Sequence, residues 1–132
     1  MNGINEVLIV DDSPTIRRMV RASLSELQDR QFVEAASGLE AIERLAMGSV
    51  DLIVLDLNMP DIHGLEVLAF VRSHDKYRDV PVLVLTTRGD DDHRAAALKA
   101  GATAFMTKPF VPQVLAAQAR QLLDRHLLPG PP

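Results

Sequence analysis

Residues 51–60 read DLIVLDLNMP, and the change from apolar to acidic within this segment indicates the fold class. The apolar residues at 52–55 are consecutive, which is typical of a strand that other elements cover on both faces. Such strands occur in parallel sheets, where ligands bind in the crevice beyond the carboxyl ends of the strands. Asp56, which follows the run directly, is therefore the first candidate for a functional residue.

Two further apolar runs end in charged residues in the same way. Residues 7–10 (VLIV) precede Asp11 and Asp12, and residues 104–107 (AFMT) precede Lys108. If these strands are parallel, three carboxylates and one ammonium meet at one edge of the sheet. Carboxylates so close repel one another unless a cation lies among them. An acidic cluster of oxygen ligands suits Mg²⁺, and a metal, a carboxylate and a lysine together indicate phosphoryl chemistry.

Segments typical of strands and of helices alternate along the chain, which favours a parallel sheet with helices on both faces. The predicted strands cover residues 6–10, 31–36, 51–56, 80–85 and 103–107, and the predicted helices begin near residues 14, 38, 65, 90 and 112. Ser13 or Asp12 is expected to cap the first helix, and Ser37, which forms a capping-box pattern with Glu40, is expected to cap the second. The inward residues of the third helix are expected to be Leu65, Leu68 and either Val71 or Phe70.

The composition of the chain narrows its class. A length of 132 residues indicates one domain, which we expect to span residues 1–127 before a Pro/Gly-rich tail or linker at 128–132. The absence of cysteine excludes disulfides and thiolate metal sites. A net charge of −4, with one Tyr and four Phe, argues against direct nucleic-acid binding. No apolar run approaches the ~20 residues of a membrane span, and no signal-peptide pattern opens the chain. We therefore expect a cytoplasmic protein with no membrane partner.

Together these motifs resemble the receiver domain of two-component response regulators, most closely the stand-alone chemotaxis, CheY-like type. The resemblance covers roughly residues 5–126. It implies a single-domain, doubly wound α/β fold of the flavodoxin-like kind, with five strands in the order 2-1-3-4-5 and five flanking helices. The matching motifs are LIVDDS at 8–13, DLIVLDLNMP at 51–60, Gly64, LT at 85–86, GA at 101–102 and KPF at 108–110.

The resemblance also implies roles for the acidic residues. Asp56 resembles the phosphoacceptor, which takes a phosphoryl group from a histidine kinase or a phosphotransfer domain. Asp11 and Asp12 resemble the acidic pair that, with Asp56 and the main-chain carbonyl of Asn58, holds Mg²⁺. Asp12 is expected to be the more direct ligand of the pair, and Asp11 is expected to act partly through water.

Three more residues resemble the parts that bind and sense the phosphoryl group. Lys108 resembles the lysine that pairs with the phosphoryl oxygens, and its peptide bond to Pro109 is expected to be cis. Thr86 resembles the switch hydroxyl, and Phe105 resembles the aromatic partner whose ring turns inward. Phosphorylation would then change the surface of the fourth helix, fifth strand and last helix. A downstream protein or a covalent output domain would read that change.

Further residues bear on access to the proposed site and on how it is regulated. Thr87 stands where a smaller residue is common in such domains, so its bulk is expected to narrow access to Asp56. Asn58 and Arg88 resemble the two variable positions that tune the lifetime of the phosphoryl group. Three arginines form either a docking face for the phosphodonor or a solvated helix face: Arg17, Arg18 and Arg21.

Three alternatives to a phosphorylated switch stay open. The first is a Mg²⁺-dependent phosphatase or phosphotransferase with Asp56 as nucleophile, similar to haloacid-dehalogenase-like enzymes. Those enzymes have a second Asp two residues later, whereas Asn58 here cannot titrate. The second is a nucleotide-binding domain, for which the acidic segment 11–14 lacks the glycine-rich loop. The third is a receiver-shaped scaffold that is never phosphorylated. We expect a switch that catalyses only its own phosphoryl transfer and slow dephosphorylation.

Overall fold

The computed structural model describes residues 5–27, 30–59, 61–87 and 89–127. Strands and helices alternate strictly along this part of the chain, as the sequence predicts. Arg88 and the predicted tail at 128–132 lie outside the described residues. The elements are β1 Asn5–Val10, α1 Pro14–Leu24, β2 Arg30–Ala35, α2 Gly38–Met47, β3 Leu52–Leu55, α3 Gly64–Ser73, β4 Val82–Thr86, α4 Asp91–Lys99, β5 Ala104–Thr107 and α5 Pro112–Leu127.

The five strands form one parallel sheet in the order β2-β1-β3-β4-β5. This order confirms the one that the resemblance implies. The chain runs from β1 to its neighbour β2 and then crosses back past β1 to β3, so its winding direction reverses between β1 and β3. In open α/β sheets, ligands bind beyond the carboxyl ends of the strands at such a reversal.

Two separate apolar cores cover the faces of the sheet, because side chains of a strand alternate between its two faces. On β1, Val7 and Ile9 pack with the buried residues of α1 and α5. Leu8 and Val10 pack on the opposite face with the buried residues of α2, α3 and α4. All four residues of β3 are buried, as expected for a central strand covered on both faces.

The helix starts follow the caps that the sequence predicts. Ser13 caps α1 by accepting from the N–H of Ile16, and Ser37 caps α2 by accepting from the N–H of Glu40. β4 begins at Val82, two residues later than predicted. Pro81, which precedes it, has no N–H to donate to a sheet ladder.

The orientation of α3 differs in part from the prediction. Leu68 and Val71 are buried as expected, but Leu65 and Phe70 are only partly buried. Val67, which was not predicted to face inward, is buried instead. The physical reason lies at the helix start, where Gly64 approaches the backbone of Leu57 and so fixes how α3 is rotated. Leu65 packs against this core as predicted, although part of its side chain stays exposed.

Gly64→Ala should destabilise the fold by about 1–3 kcal/mol, because an added methyl would meet backbone that cannot move aside. A Cβ at position 64 would lie 2.5 Å from Leu57 Cα and 2.7 Å from the Asp56 carbonyl oxygen. Gly48→Ala is the matched control, since its Cβ would meet only Glu6 Oε2 at 3.7 Å. Urea unfolding measures both, and the control should stay within about 0.5 kcal/mol of wild type. Equal midpoints for the two variants would contradict the close approach at Gly64.

Candidate functional site

The sheet ladders continue one residue beyond β1 and β3, and this brings two carboxylates together. The N–H of Asp56 donates to the carbonyl of Val10 at 2.9 Å, and the N–H of Asp11 donates to the carbonyl of Ala35 at 3.1 Å. Because Val10 pairs with Leu55 in the register, the acids that follow them are neighbours at the edge of the sheet. Asp11 and Asp56 are 3% and 4% exposed, so both carboxyl groups are largely removed from water.

A third carboxylate completes an acidic cluster. Asp11, Asp12 and Asp56 each offer an oxygen within 4.8 Å of the others. Asp12 is exposed, whereas the other two are buried, so the cluster opens to solvent on one side. Magnesium prefers oxygen ligands, binds through one or two carboxylates and keeps several waters. The donor set and its open side therefore fit Mg²⁺.

Lys108 brings the positive charge that the sequence predicts at this edge. Its Nζ donates to Asp11 Oδ2 at 2.7 Å and lies 3.6 Å from Asp56 Oδ1. The longer distance is an ion pair without a proper hydrogen bond. The lysine side chain is 11% exposed. The main-chain N–H of Lys108 donates to the carbonyl of Thr86 at 2.8 Å, and the peptide bond from Lys108 to Pro109 is cis, as predicted. The ammonium thus lies between the two buried carboxylates and is bonded to Asp11.

Burial raises the pKa of Asp56 above its ordinary value of 3.8 and has the largest effect on that carboxyl. The Lys108 ammonium lowers the pKa, and the charge of Asp11 raises it again. The N–H of Asn58, which donates to Asp56 Oδ1 at 3.3 Å, lowers it, and Asp12 raises it. The net effect is an elevated pKa, so the folded chain disfavours the ionised form. A bound divalent cation reverses this preference.

A hydrogen bond that the sequence did not suggest joins two of the predicted site residues. The side-chain amide of Asn58 donates from Nδ2 to Thr86 Oγ1 at 3.0 Å. Thr86 is completely buried at the end of β4, and the bond joins its hydroxyl oxygen to the residue whose N–H also donates to Asp56. The sequence gives no sign of this bond, because Asn58 lies in a loop, Thr86 ends a strand, and the two are 28 positions apart.

The predicted aromatic partner, Phe105, is buried in the core face that α2, α3 and α4 cover, with 7% of its surface exposed. The Arg94 guanidinium of α4 lies 5.7 Å from the centre of its ring. In the loop that follows β4, Thr87 is exposed. Gly89 lies so close to Thr107 that a side chain there would overlap the threonine methyl group. The predicted role of Arg88 concerns a residue outside the described part of the chain.

Two of the three arginines on α1 are bonded to an acid on β2. Arg17 Nε and Arg21 Nη1 donate to the two carboxylate oxygens of Glu34, at 2.9 and 3.0 Å. Both bonds lower the pKa of Glu34, although burial, the largest single effect, acts to raise it. Arg18 is exposed. Glu34 could not be found from the sequence, because nothing in a strand sequence identifies which helix side chains lie above it.

The loop between β3 and α3 is attached to the start of α2. Asp61 accepts from the N–H groups of Gly38 at 3.1 Å and Leu39 at 3.0 Å. These donors are unsatisfied within a helix, so an acid there is favoured by hydrogen bonding and by the helix dipole. Backbone donors, foremost Leu39 and then Ile62, hold the pKa of Asp61 below its ordinary value. The loop that carries Asn58 is thereby fixed from its far side.

Comparison with known proteins gives a consistent result. A family model described as "Response regulator receiver domain" matches residues 7–120. Chemotaxis protein CheY1 of Helicobacter pylori is 38% identical over 122 residues, which cover 92% of this chain and 98% of that protein. A CheY homolog of Campylobacter jejuni is 39% identical over 119 residues, covering 89% of this chain and 92% of that protein.

A solved structure agrees with these sequence relatives. The chemotaxis response regulator CheY4 of Vibrio cholerae is similar with a TM-score of 0.83 and 34% identity. The similarity covers 90% of this chain and 98% of that chain. Among the described residues, no helix is both long and apolar enough to cross a membrane.

Asp56→Asn should stabilise the metal-free fold at neutral pH. The pKa of Asp56 is raised in the folded state, so between the unfolded and folded pKa values the folded chain binds more protons. The free energy of unfolding therefore falls as pH rises through this interval, and it stays lower above it. Asparagine avoids this cost, and the gain should disappear below the ordinary carboxyl pKa.

Urea unfolding in EDTA, at neutral and at acidic pH, measures this effect. Asp12→Asn serves as control, because the exposed acid of the same cluster should give a smaller gain. A neutral-pH midpoint for Asp56→Asn below that of wild type would contradict the electrostatic cost.

Asp61→Asn should lower stability at neutral pH. The pKa of Asp61 is depressed in the folded state, so its contribution is present above the unfolded pKa and is lost as pH falls through the folded pKa. The difference from wild type should therefore shrink at acidic pH. Asp75→Asn is the matched control, since that side chain is 95% exposed and its pair with Arg78 at 3.5 Å should contribute little. Urea unfolding at neutral and at acidic pH measures both variants. The same midpoints for Asp61→Asn and Asp75→Asn would contradict the capping role of Asp61.

Proposed function

We propose that Asp56 accepts a phosphoryl group from a histidine kinase or a phosphotransfer domain, because this chain belongs to the response regulator receiver domain family. The chain is a two-component receiver, a class of signalling switch. The observation that carries the assignment of Asp56 is its place among Asp11, Asp12 and Lys108 at one edge of the sheet. No other described residues form a comparable group of acids with metal-ligand spacing.

The proposed transfer exchanges one bond to phosphorus for another. A carboxylate oxygen of Asp56 attacks the phosphorus of a phosphohistidine, an O–P bond forms, and the N–P bond breaks. The electron pair of the broken bond returns to the imidazole nitrogen of the donor protein, which then takes a proton from solvent. The product is an acyl phosphate on Asp56. The chain's contribution is to hold the carboxylate in line with the donor and to counter the developing charge.

Asp11, Asp12 and Asp56, with the main-chain carbonyl of Asn58, would hold Mg²⁺. When bound, the ion supplies charge that reduces the repulsion between the carboxylate and the phosphoryl oxygens. Lys108 contributes a compact point charge, which suits a phosphoryl oxygen. Its ammonium lies 3.6 Å from Asp56 Oδ1, and with 11% of the side chain exposed it is largely removed from bulk water.

The phosphorylated state would be read through Thr86 and Phe105. Phosphorylation adds roughly −1.5 to −2 charge and strong acceptor oxygens, and Thr86 would donate to one of them. The loop after β4 would follow Thr86, and Phe105 would pack beneath it. The surface formed by α4, β5 and α5 would then change for a downstream protein or a covalent output domain. Two of the relatives are chemotaxis proteins, which supports the proposal that this chain acts in chemotaxis as well.

An enzyme that turns over small phosphomonoesters is less favoured. Such an enzyme needs an acid or base near the nucleophile, and the residue two positions beyond Asp56 is Asn58. Its amide donates to Thr86 and does not titrate, so it cannot act as a general acid or base. This arrangement supports one phosphoryl transfer followed by slow hydrolysis. The folded unit that performs it is proposed to be residues 1–127.

Intact-mass measurement after incubation with acetyl phosphate tests the proposal. We expect wild type to gain one phosphoryl group when Mg²⁺ is present and none in EDTA. Asp56→Asn should gain none, because it lacks the nucleophile. Asp75 is 95% exposed and does not belong to the acidic cluster, so Asp75→Asn should gain the phosphoryl group as wild type does.

Phosphoramidate is the second donor, because its N–P bond matches the one that a phosphohistidine presents. An adduct on Asp56→Asn, or no adduct on wild type from either donor, would show that the assignment is wrong. Steady release of phosphate from a monoester would favour the enzyme instead.

A further inference from the structure

A guanidinium is bonded to the main chain of one member of the acidic cluster. Arg17 Nη1 donates to the carbonyl oxygen of Asp11 at 2.7 Å. The same side chain donates from Nε to Glu34 Oε1 at 2.9 Å. It is 16% exposed, so these bonds are made away from bulk water. One side chain therefore links the edge strand β2 to the first residue after β1.

The peptide bond that follows Asp11 sets the direction of Asp12. Asp11 is held at its N–H by the carbonyl of Ala35 and at its carboxylate by the N–H of Ser13 and by Lys108. Its carbonyl lies beyond the end of β1, and Arg17 is the donor that bonds to it. If this carbonyl turned away, the peptide plane would rotate and carry the Asp12 carboxylate away from Asp56.

Charge adds to this geometric effect. A hydrogen bond with an ionised donor is stronger than one between neutral groups. Glu34 fixes the guanidinium by a second bond, so its planar fork is oriented before any ion binds.

We infer that Arg17 is a positioning residue for the metal site, and that Glu34 holds it in place. This inference rests on the proposed function, because the acidic pair that Arg17 positions is the pair proposed to hold Mg²⁺. Partners in the outer shell of a metal site typically change its affinity about 10–100-fold when they are removed. Arg17 acts through the main chain of Asp11 and does not itself contact the ion.

Arg21 offers a matched comparison one turn further along α1. It bonds the other oxygen of Glu34 at 3.0 Å, but its side chain is 54% exposed. Its guanidinium lies 5.6 Å from the centre of the Phe32 ring. None of the described contacts joins it to Asp11. The two arginines thus share a helix and bond the same acid, Glu34. They differ because Arg17 also donates to the Asp11 carbonyl.

The test replaces each arginine by methionine, which keeps an unbranched stem and removes the donors. Mg²⁺ affinity is measured by titration calorimetry, with Mg²⁺ alone as the probe. Arg17→Met should bind Mg²⁺ about tenfold more weakly than wild type, and Arg21→Met should bind close to wild type. The phosphorylation rate of Arg17→Met with acetyl phosphate should recover at saturating Mg²⁺, because the nucleophile is intact.

Hydrogen exchange of the metal-free protein gives a second readout that depends on neither metal nor donor. The segment from Asp11 to Ser13 should exchange faster in Arg17→Met than in Arg21→Met, since the peptide is no longer fixed. If Arg17→Met does not fold, Glu34→Ala replaces it. That variant should also weaken Mg²⁺ binding, because the guanidinium loses its second bond.

The outcomes separate this inference from the proposed function. Wild-type protein that neither binds Mg²⁺ nor forms an adduct would overturn the proposed function, and hydrogen exchange would then decide the positioning role alone. In a second outcome, wild type binds Mg²⁺ and forms the adduct, but Arg17→Met equals Arg21→Met in Mg²⁺ affinity and in hydrogen exchange. That outcome would overturn the positioning role only. Wild-type Mg²⁺ affinity in a folded Glu34→Ala would overturn the part assigned to Glu34.

Discussion

The close approach of two buried carboxylates is the constraint on which the rest of the site depends. The parallel register places Asp11 and Asp56 side by side after β1 and β3, where the sheet covers them. Buried like charges are costly unless a cation or hydrogen-bond donors compensate them. Lys108 supplies the cation. It reaches this edge because Thr107 of β5 pairs with Thr86 of β4, and the next residue, Lys108, bonds through its main-chain N–H to the Thr86 carbonyl.

Each loop around these acids is fixed by a contact from outside the site. The loop after β1 is held by Arg17, and the loop after β3 is held at its far side by Asp61 on the start of α2. Asn58 links the loop after β3 to the end of β4. Sites that must hold groups precisely need such supporting contacts, because loops alone position side chains loosely. The site is therefore a property of the whole carboxyl edge and not of three acids.

The sequence predicts the parts of this architecture that follow from local rules. Consecutive apolar residues at 52–55 and the caps at Ser13 and Ser37 act over a few residues, so strands and helix starts could be predicted from them. The strand order came from the resemblance and not from the pattern. The bonds of Arg17 to Glu34 and of Asn58 to Thr86 join residues 17 and 28 positions apart. Such pairs depend on helix rotation and loop path, as the burial of Val67, which the pattern did not predict, also shows.

The position of Lys108 would connect the proposed metal binding to the proposed switch. In the folded chain its ammonium is bonded to Asp11 at 2.7 Å and lies 3.6 Å from Asp56. Two anions thus compete for one cation, and Asp11 has the shorter contact. If Asp11 were neutralised by a divalent ion, Lys108 would lose the attraction that holds it there and could turn to a phosphoryl group on Asp56. A ligand shifts a conformational equilibrium only by its differential interaction with the two states. A lysine that changes partner supplies such a difference, and it links the state of the acidic cluster to β5 and so to Phe105.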